Sequence, residues 1–118
     1  MAVTRERLEW LVHSGTPDEW AEFINEWREE KGWNDDKKTE GDWAALAHTE
    51  ISEAFEAYRD GDLLVNIVDG KPEGVAVEYA DCIIRILHWF AAHGISINQT
   101  LATKMSYNMN RPYKHGGK

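Results

Sequence analysis

Between Val75 and Phe90 the chain can form a helix with almost no polar side, and this stretch constrains the fold more than any other. At 100° per residue, Val75, Val77, Tyr79, Cys82, Ile83, Ile84, Ile86, Leu87, Trp89 and Phe90 cover nearly the whole circumference. Glu78, Asp81, Arg85 and His88 are the exceptions, and all four fall in one wedge roughly 80° wide. A second stretch, Trp43 to Tyr58, has a helical apolar stripe of Trp43, Leu46, Ala47, Ile51, Ala54 and Tyr58, with Glu50 near its middle and Glu53 at its edge. Here too a carboxylate faces the core.

Both acidic pairs, Glu50 with Glu53 and Glu78 with Asp81, stand at i, i+3, which puts each pair on one helix face about a turn apart. Two such helices packed side by side would aim four carboxylates into one pocket. An isolated buried carboxylate costs several kcal/mol unless it is paired or metal-bound, so the arrangement needs a compensating charge. Oxygen ligands of this kind suit Mg²⁺ or a similar hard cation, which most often serves phosphate chemistry. The competing reading makes the wedge the solvated face of an amphipathic helix and Glu50 a surface residue.

The remaining periodicities are helical as well. Leu8, Leu11 and Val12 mark a short helix over residues 3–12. Thr16, Pro17 and Glu19 supply an N-cap, a first-turn proline and a capping-box glutamate for a helix to about residue 30, striped by Trp20, Phe23, Ile24 and Trp27 and ended by Gly32. Asp60–Gly61 stops the Trp43–Tyr58 helix, and residues 61–73 read as a connecting loop or an abbreviated hairpin, with β-prone Leu64, Val65, Ile67 and Val68 between turn signals. A helix over Gly74–His93 closes at Gly94. Ser96 or Asn98 caps a last helix reaching about Asn110, beyond which Pro112 and the tail glycines forbid more. The expectation is one all-α domain over residues 1–118, a four- to five-helix bundle with residues 1–16 as an N-terminal extension.

Composition narrows the partners. A formal net charge of −8 over 118 residues argues against nucleic acid and anionic membranes. No run is apolar and long enough to span a bilayer and "MAVTRERLEW" is no signal peptide, so a cytoplasmic location is expected. The lone Cys82 cannot form an intramolecular disulfide and lies on the apolar side of its helix, as a small core residue would. Six Trp and a nearly all-apolar helix exceed what one small core accommodates, which points to self-association.

Against this acidic background the last helix is locally basic. Lys104, Tyr107, Asn108 and Arg111, at i, i+3, i+4 and i+7, share a face, with Lys114 in the tail beyond, and triphosphate oxygens are natural partners for it. A solvated helix end favourable to the macrodipole is the plainer reading. In "NEWREEKGW", Trp33 follows a glycine with no periodic reason for burial, so it either stacks on a base or caps the core, and Arg28 and Lys31 are solvated charges or phosphate contacts. His13, His48 and His93 have no ligand spacing, while His88 sits in the polar wedge.

The order E-x-x-E, about two dozen residues, E-x-x-D, then "KMSYNMNRPYKHGGK" resembles the MazG-like nucleoside triphosphate pyrophosphohydrolases of the all-α NTP pyrophosphatase superfamily, as does "GKPEGVAVEYADCIIRILHWF". The resemblance runs from about residue 17 to the C-terminus. It implies a helical core whose Glu50, Glu53, Glu78 and Asp81 hold Mg²⁺ or Mn²⁺, with Glu53 orienting or deprotonating the attacking water. Lys104, Tyr107, Asn108, Arg111 and Lys114 would bind phosphate and sugar, and Trp33 and Lys31 would lie in the base region. The reaction implied converts an NTP or dNTP to the monophosphate and pyrophosphate in a homodimer or homotetramer of bacterial or phage type, in the latter case in host cytoplasm. dUTP or phosphoribosyl-ATP hydrolysis belongs to the same superfamily, and a non-enzymatic nucleotide-sensing helical oligomer is the alternative from another class. A di-iron carboxylate bundle is disfavoured because the chain has no Glu-x-x-His.

Overall fold

Side-chain caps set where the helices begin. A computed structural model describes residues 3–32 and 37–112. Thr4 accepts from the Arg7 amide to start α1 (Arg5–Ser14), and Thr16 and Glu19 form the expected capping box ahead of Pro17 to start α2 (Pro17–Glu30). A second box, Thr39 with Asp42, opens α3 (Glu40–Arg59) three residues before the first apolar residue that periodicity detects. Of the two candidate caps for the last helix, Ser96 is the one used: it accepts from the Gln99 amide at the head of α5 (Ile97–Met109).

Between α3 and α4 (Val75–Ala92) the chain makes a short antiparallel hairpin, β1 (Asn66–Val68) and β2 (Lys71–Glu73), with Val68 opposite Lys71 and Asn66 opposite Glu73. Its turn residues, Asp69 and Gly70, both take positive φ, 52° and 79°, as the tightest hairpin turns require. The abbreviated hairpin is therefore real, and the described residues form five helices with a small two-stranded sheet. Gly74 then joins β2 to α4 at φ 124°, with the Leu64 carbonyl oxygen 1.8 Å from where a Cβ would stand. Only glycine fits there, and the Val75 amide donates to the Asp62 carbonyl at 3.0 Å, tying the loop to the helix start.

Helix α4 is the centre of the fold, packed against α3 on one side and α2 on another. Ala21, Ile24, Leu87 and Ile97 form the core cluster between α2, α4 and α5, with Trp20, Ile84, Phe90 and Ala91 against it. Cys82 is buried, as its side of the helix demands. α1 is fastened to α2 by an Arg7–Glu26 ion pair at 2.6 Å, with the Arg7 guanidinium also over Phe23.

Two stripes differ from the sequence reading. On α3 the buried line is Trp43, Glu50 and Ala54, whereas Ile51 and Tyr58, expected on the core side, are exposed together with Phe55. On α4, Tyr79, Ile83 and Ile86 are exposed, Ile83 to 56%. Both exposed trios have the spacing i, i+4, i+7, and so each forms one stripe. The pairing line between the helices runs through the polar residues, which turns these stripes outward. The radius of gyration, 16.6 Å, exceeds the roughly 13 Å of a close-packed chain of this length, consistent with helices that lack a cover. Among the described residues no helix is long and apolar enough to cross a membrane.

Helix α5 is held at its first turn. The Asp18 carboxylate accepts from the Ser96 hydroxyl at 2.6 Å and from the Ile97 and Asn98 amides at 2.7 and 3.1 Å, while Asn98 Oδ1 accepts from the Asp18 amide at 3.1 Å. Two helix starts thus cap each other, and these bonds, the Ser96 hydroxyl foremost, hold the Asp18 carboxyl below its ordinary range. Asp18→Ala is expected to release α5: hydrogen exchange in Ile97–Met109 should accelerate at least about tenfold relative to α4 as local opening becomes easier. Equal acceleration in both helices would show that the contact supports the whole domain instead.

Candidate metal centre

Helices α3 and α4 run antiparallel, as three pairings along their seam show. Glu40 at the start of α3 meets Trp89 and His93 at the end of α4, Glu50 meets Arg85, and Glu53 meets Glu78. The polar wedge of α4 therefore faces the acidic line of α3. Glu50 retains 7% exposure and His88 only 4%, with the His88 ring 5.0 Å from that of Trp43, while Glu78, Asp81 and Arg85 are half-buried. The wedge is not a solvated face.

Within the seam, one carboxylate oxygen from each of Glu50, Glu78 and Asp81 lies within 4.8 Å of the others. Glu53 is exposed at the mouth and hydrogen-bonds to Glu78. Arg85 Nε stands 3.6 Å from Glu50 Oε2, near enough for charge attraction but too long for a good hydrogen bond, and that Nε is buried without a hydrogen-bond partner. Glu78 Oε2 is likewise buried with none. An unpartnered buried carboxylate oxygen loses its hydration without recompense, so it marks a place where a bound group would relieve strain.

Burial and the neighbouring carboxylates raise the affinity of these groups for protons. Burial, then the hydrogen bond and charge of Glu53 and the charges of Asp81 and Glu50, push Glu78 up to about 7. Glu50 is raised by burial, against the attraction of Arg85, and Asp81 is raised by burial and Glu53, against Arg85 and Lys71. A hard divalent cation fits this donor set: all ligands are carboxylate oxygens, one is orphaned, and the group carries more negative charge than Arg85 offsets.

The other expected site residues lie elsewhere in the chain. Lys104 Nζ and Arg111 Cζ stand 5.1 and 5.4 Å from the Tyr107 ring centre, so this trio gathers as its spacing implied. Asn108 turns inward from the exposed face, with its Oδ1 buried and without a hydrogen-bond partner and its Nδ2 3.8 Å from Met105 Sδ. Among the described residues, the cations whose charge lowers the pKa of Glu50 or Asp81 are Arg85, for both, and Lys71, for Asp81. Lys31 is exposed at the end of α2, and Trp33 and Lys114 lie outside the described residues. His93 is structural: it stacks on Trp89 and contacts Glu40, as its lack of ligand spacing suggested.

Lys71 is the residue the sequence reading passed over. Its signal was a cation straight after a turn glycine in "GKPEG", ten residues ahead of Asp81, inside a stretch whose apolar pattern drew the attention. Neither a known protein family, a curated protein nor a solved structure matches the chain.

Protons and cation compete for the same oxygens, which fixes a pH dependence. Without metal, the folded protein binds protons at Glu78, Glu50 and Asp81 more tightly than the unfolded chain does, so these groups make stability fall as pH rises, Glu78 over the range from about 4.5 through about 7. Mg²⁺ should then raise the melting temperature more at pH 8 than at pH 6, because at the higher pH it has less proton to displace from Glu78. Glu78→Gln should flatten the metal-free profile. Melts that gain stability with rising pH over this window in the absence of metal would contradict the assignment.

Proposed function

We propose that the protein is a metal-dependent nucleoside triphosphate pyrophosphohydrolase, converting an NTP or dNTP and water to the monophosphate and pyrophosphate. The observation that carries the reading is the convergence of Glu50, Glu78 and Asp81 in one seam, with a buried oxygen of Glu78 unpartnered. The MazG-like order of motifs supplies the substrate class, since acidic clusters alone serve many reactions.

In this reading Glu50, Glu78 and Asp81 hold Mg²⁺ or Mn²⁺, with Glu53 completing the set at the mouth. When bound, the ion supplies charge neutralisation for the triphosphate and acidifies a water. Glu53 is exposed where solvent enters, and its carboxylate orients the attacking water and takes its proton. The water oxygen bonds to the α-phosphorus, the bond from that phosphorus to the bridging oxygen breaks, and the electron pair leaves with pyrophosphate. Arg85, 3.6 Å from Glu50, offsets part of the repulsion among the buried carboxylates before substrate arrives. Lys104, Tyr107, Asn108 and Arg111 are the proposed phosphate and sugar contacts, and Lys31, Trp33 and Lys114 complete the proposed nucleotide site.

The same reading includes a homodimer or homotetramer. Measured from the Glu50–Arg85 pairing line, Ile51, Phe55 and Tyr58 on α3 and Tyr79, Ile83 and Ile86 on α4 fall on one side of the seam, and Glu53 and Asp81 on the other. Ala44 and Ile86 line one small cavity of about 180 Å³ with Trp43 and Trp89, which agrees with that placement. A second copy could cover the apolar stripes and leave the acidic mouth open. One feature favours a sensor oligomer instead, the Arg85–Glu50 pair, which offsets part of the acidic charge without metal.

A panel of NTPs and dNTPs, with dUTP and phosphoribosyl-ATP included, separates the readings. Pyrophosphate release that requires Mg²⁺ or Mn²⁺ is expected for at least one substrate, with Glu53→Gln reduced roughly 10²–10⁴-fold and Asp81→Asn inactive, both remaining folded. Orthophosphate as the primary product, or binding without turnover, would overturn the reading, the latter in favour of the sensor. Light scattering at micromolar concentration should give at least a dimer.

A further inference from the structure

We propose that the outer edge of β1 is a strand-addition surface whose occupant is the same edge of a second copy of this chain, the two paired antiparallel about Asn66 into a four-stranded sheet. The pyrophosphohydrolase reading is not needed for it. Its first ground is that one edge of the hairpin is closed and the other bare. The two-residue turn Asp69–Gly70 makes Val68 and Lys71 a hydrogen-bonding pair, so by alternation the next pair, Ile67 and Pro72, points its backbone groups away from the hairpin. On β2 that outward position is a proline with no N–H to offer, beside the charge of Lys71, and β2 is the strand that packs against α4. On β1 it is Ile67, with both donor and acceptor. Among the described residues, no hydrogen bond outside the hairpin's own ladder reaches the backbone of Val65 or Ile67.

The second ground is exposure on both faces. A hairpin that shields a core buries every other residue, yet Leu64, Val65, Ile67 and Val68 are all between 49% and 74% exposed. These apolar side chains serve no core within the chain.

The third ground names the occupant. The run Leu64–Val68, "LVNIV", has the same side-chain chemistry read from either end, as an antiparallel pairing of two identical strands about a two-fold requires. In that register Val65 and Ile67 of one copy exchange backbone bonds with Ile67 and Val65 of the other, Leu64 lies opposite Val68, and Asn66 lies opposite itself. No charge enters the ladder. Asp62 and Asp69 fall opposite Gly70 and Leu63 of the second copy, so no carboxylate faces another. A charged peptide would find no counter-charge within these five residues, whereas the strand's own copy matches all of them. A ladder this short buries less than a stable interface needs, so it adds to another contact, such as the apolar stripes of α3 and α4, rather than acting alone.

Ile67→Pro removes the outward N–H at a position that gives no bond to β2, and so tests the edge without undoing the hairpin. In sedimentation of the full chain, wild type is expected to associate with rising concentration and Ile67→Pro to stop at half the wild-type mass with its circular dichroism unchanged. The register has its own test. Under mild oxidation an equimolar mixture of Leu64→Cys and Val68→Cys is expected to give a disulfide-linked dimer, while either variant alone, and wild type with its buried Cys82, stays unlinked. Unchanged mass in a folded Ile67→Pro, or a mixture no more linked than the single variants, overturns the proposal and leaves the stripe contact standing. Should Ile67→Pro not fold, the cysteine pair decides alone. Wild type that is monomeric at every concentration overturns self-pairing, and its binding of a synthetic peptide of residues 62–70 would then assign the edge to an extended segment of another protein.

Discussion

Carboxylates buried between two helices set the terms for this fold. In an ordinary amphipathic helix the charged wedge of α4 would face water and its apolar circumference would face protein. Here the wedge is turned onto α3, and the energetic demand falls on the seam: Glu50 and Glu78 lose hydration, repel Glu53 and Asp81, and have Arg85 as the partly buried counter-charge. A site of this kind stabilises the metal-free fold poorly. A cation bound there would offset the mutual repulsion with its binding free energy.

Such a seam would tend to splay, and both of its ends are clamped. At one end Glu40, at the head of α3, accepts from Trp89 Nε1 and meets His93 Nε2, each at 2.9 Å, near the C-terminal end of α4. These bonds, with Trp89 foremost, hold the Glu40 carboxyl below its ordinary range, so it stays charged in that role. At the other end the hairpin and Gly74 fasten the start of α4 back to the exit of α3. Between the clamps, Ala54 on α3 and Cys82 on α4 are buried and Ala47 is half-buried, small side chains that leave room in the seam for the acidic ones.

What was legible in the sequence follows from which signals are local. Capping chemistry is local, so Thr16–Glu19 and Ser96 were readable, and the two acidic pairs stood out because i, i+3 spacing survives any packing. The Thr39–Asp42 box was equally local but lay outside the apolar pattern that defined α3. Which face of a helix meets its neighbour is a tertiary decision. Ile51 and Tyr58 belonged to the apolar stripe by periodicity yet are exposed, because α3 docks through Trp43, Glu50 and Ala54. Lys71 was hidden for a similar reason: ten residues separate it from Asp81, and only the folding back of the hairpin on α4 brings its charge to bear.

The apolar circumference of α4 and its inward wedge then have one explanation. If polar residues occupy the contact with α3, the apolar ones must find cover elsewhere. α2 covers part of them through Ile84, Leu87 and Ala91, and Tyr79, Ile83 and Ile86 remain beside the similar stripe of α3. An isolated chain pays for this in exposed hydrocarbon, and its radius of gyration registers the looseness. A second copy seated on those stripes would remove that exposure and press α3 and α4 together from the side away from Glu53 and Asp81. Self-association and the acidic site would in that case be two consequences of a single choice, the orientation of the wedge, which is why a residue pattern that is so awkward for one small domain can serve an assembly.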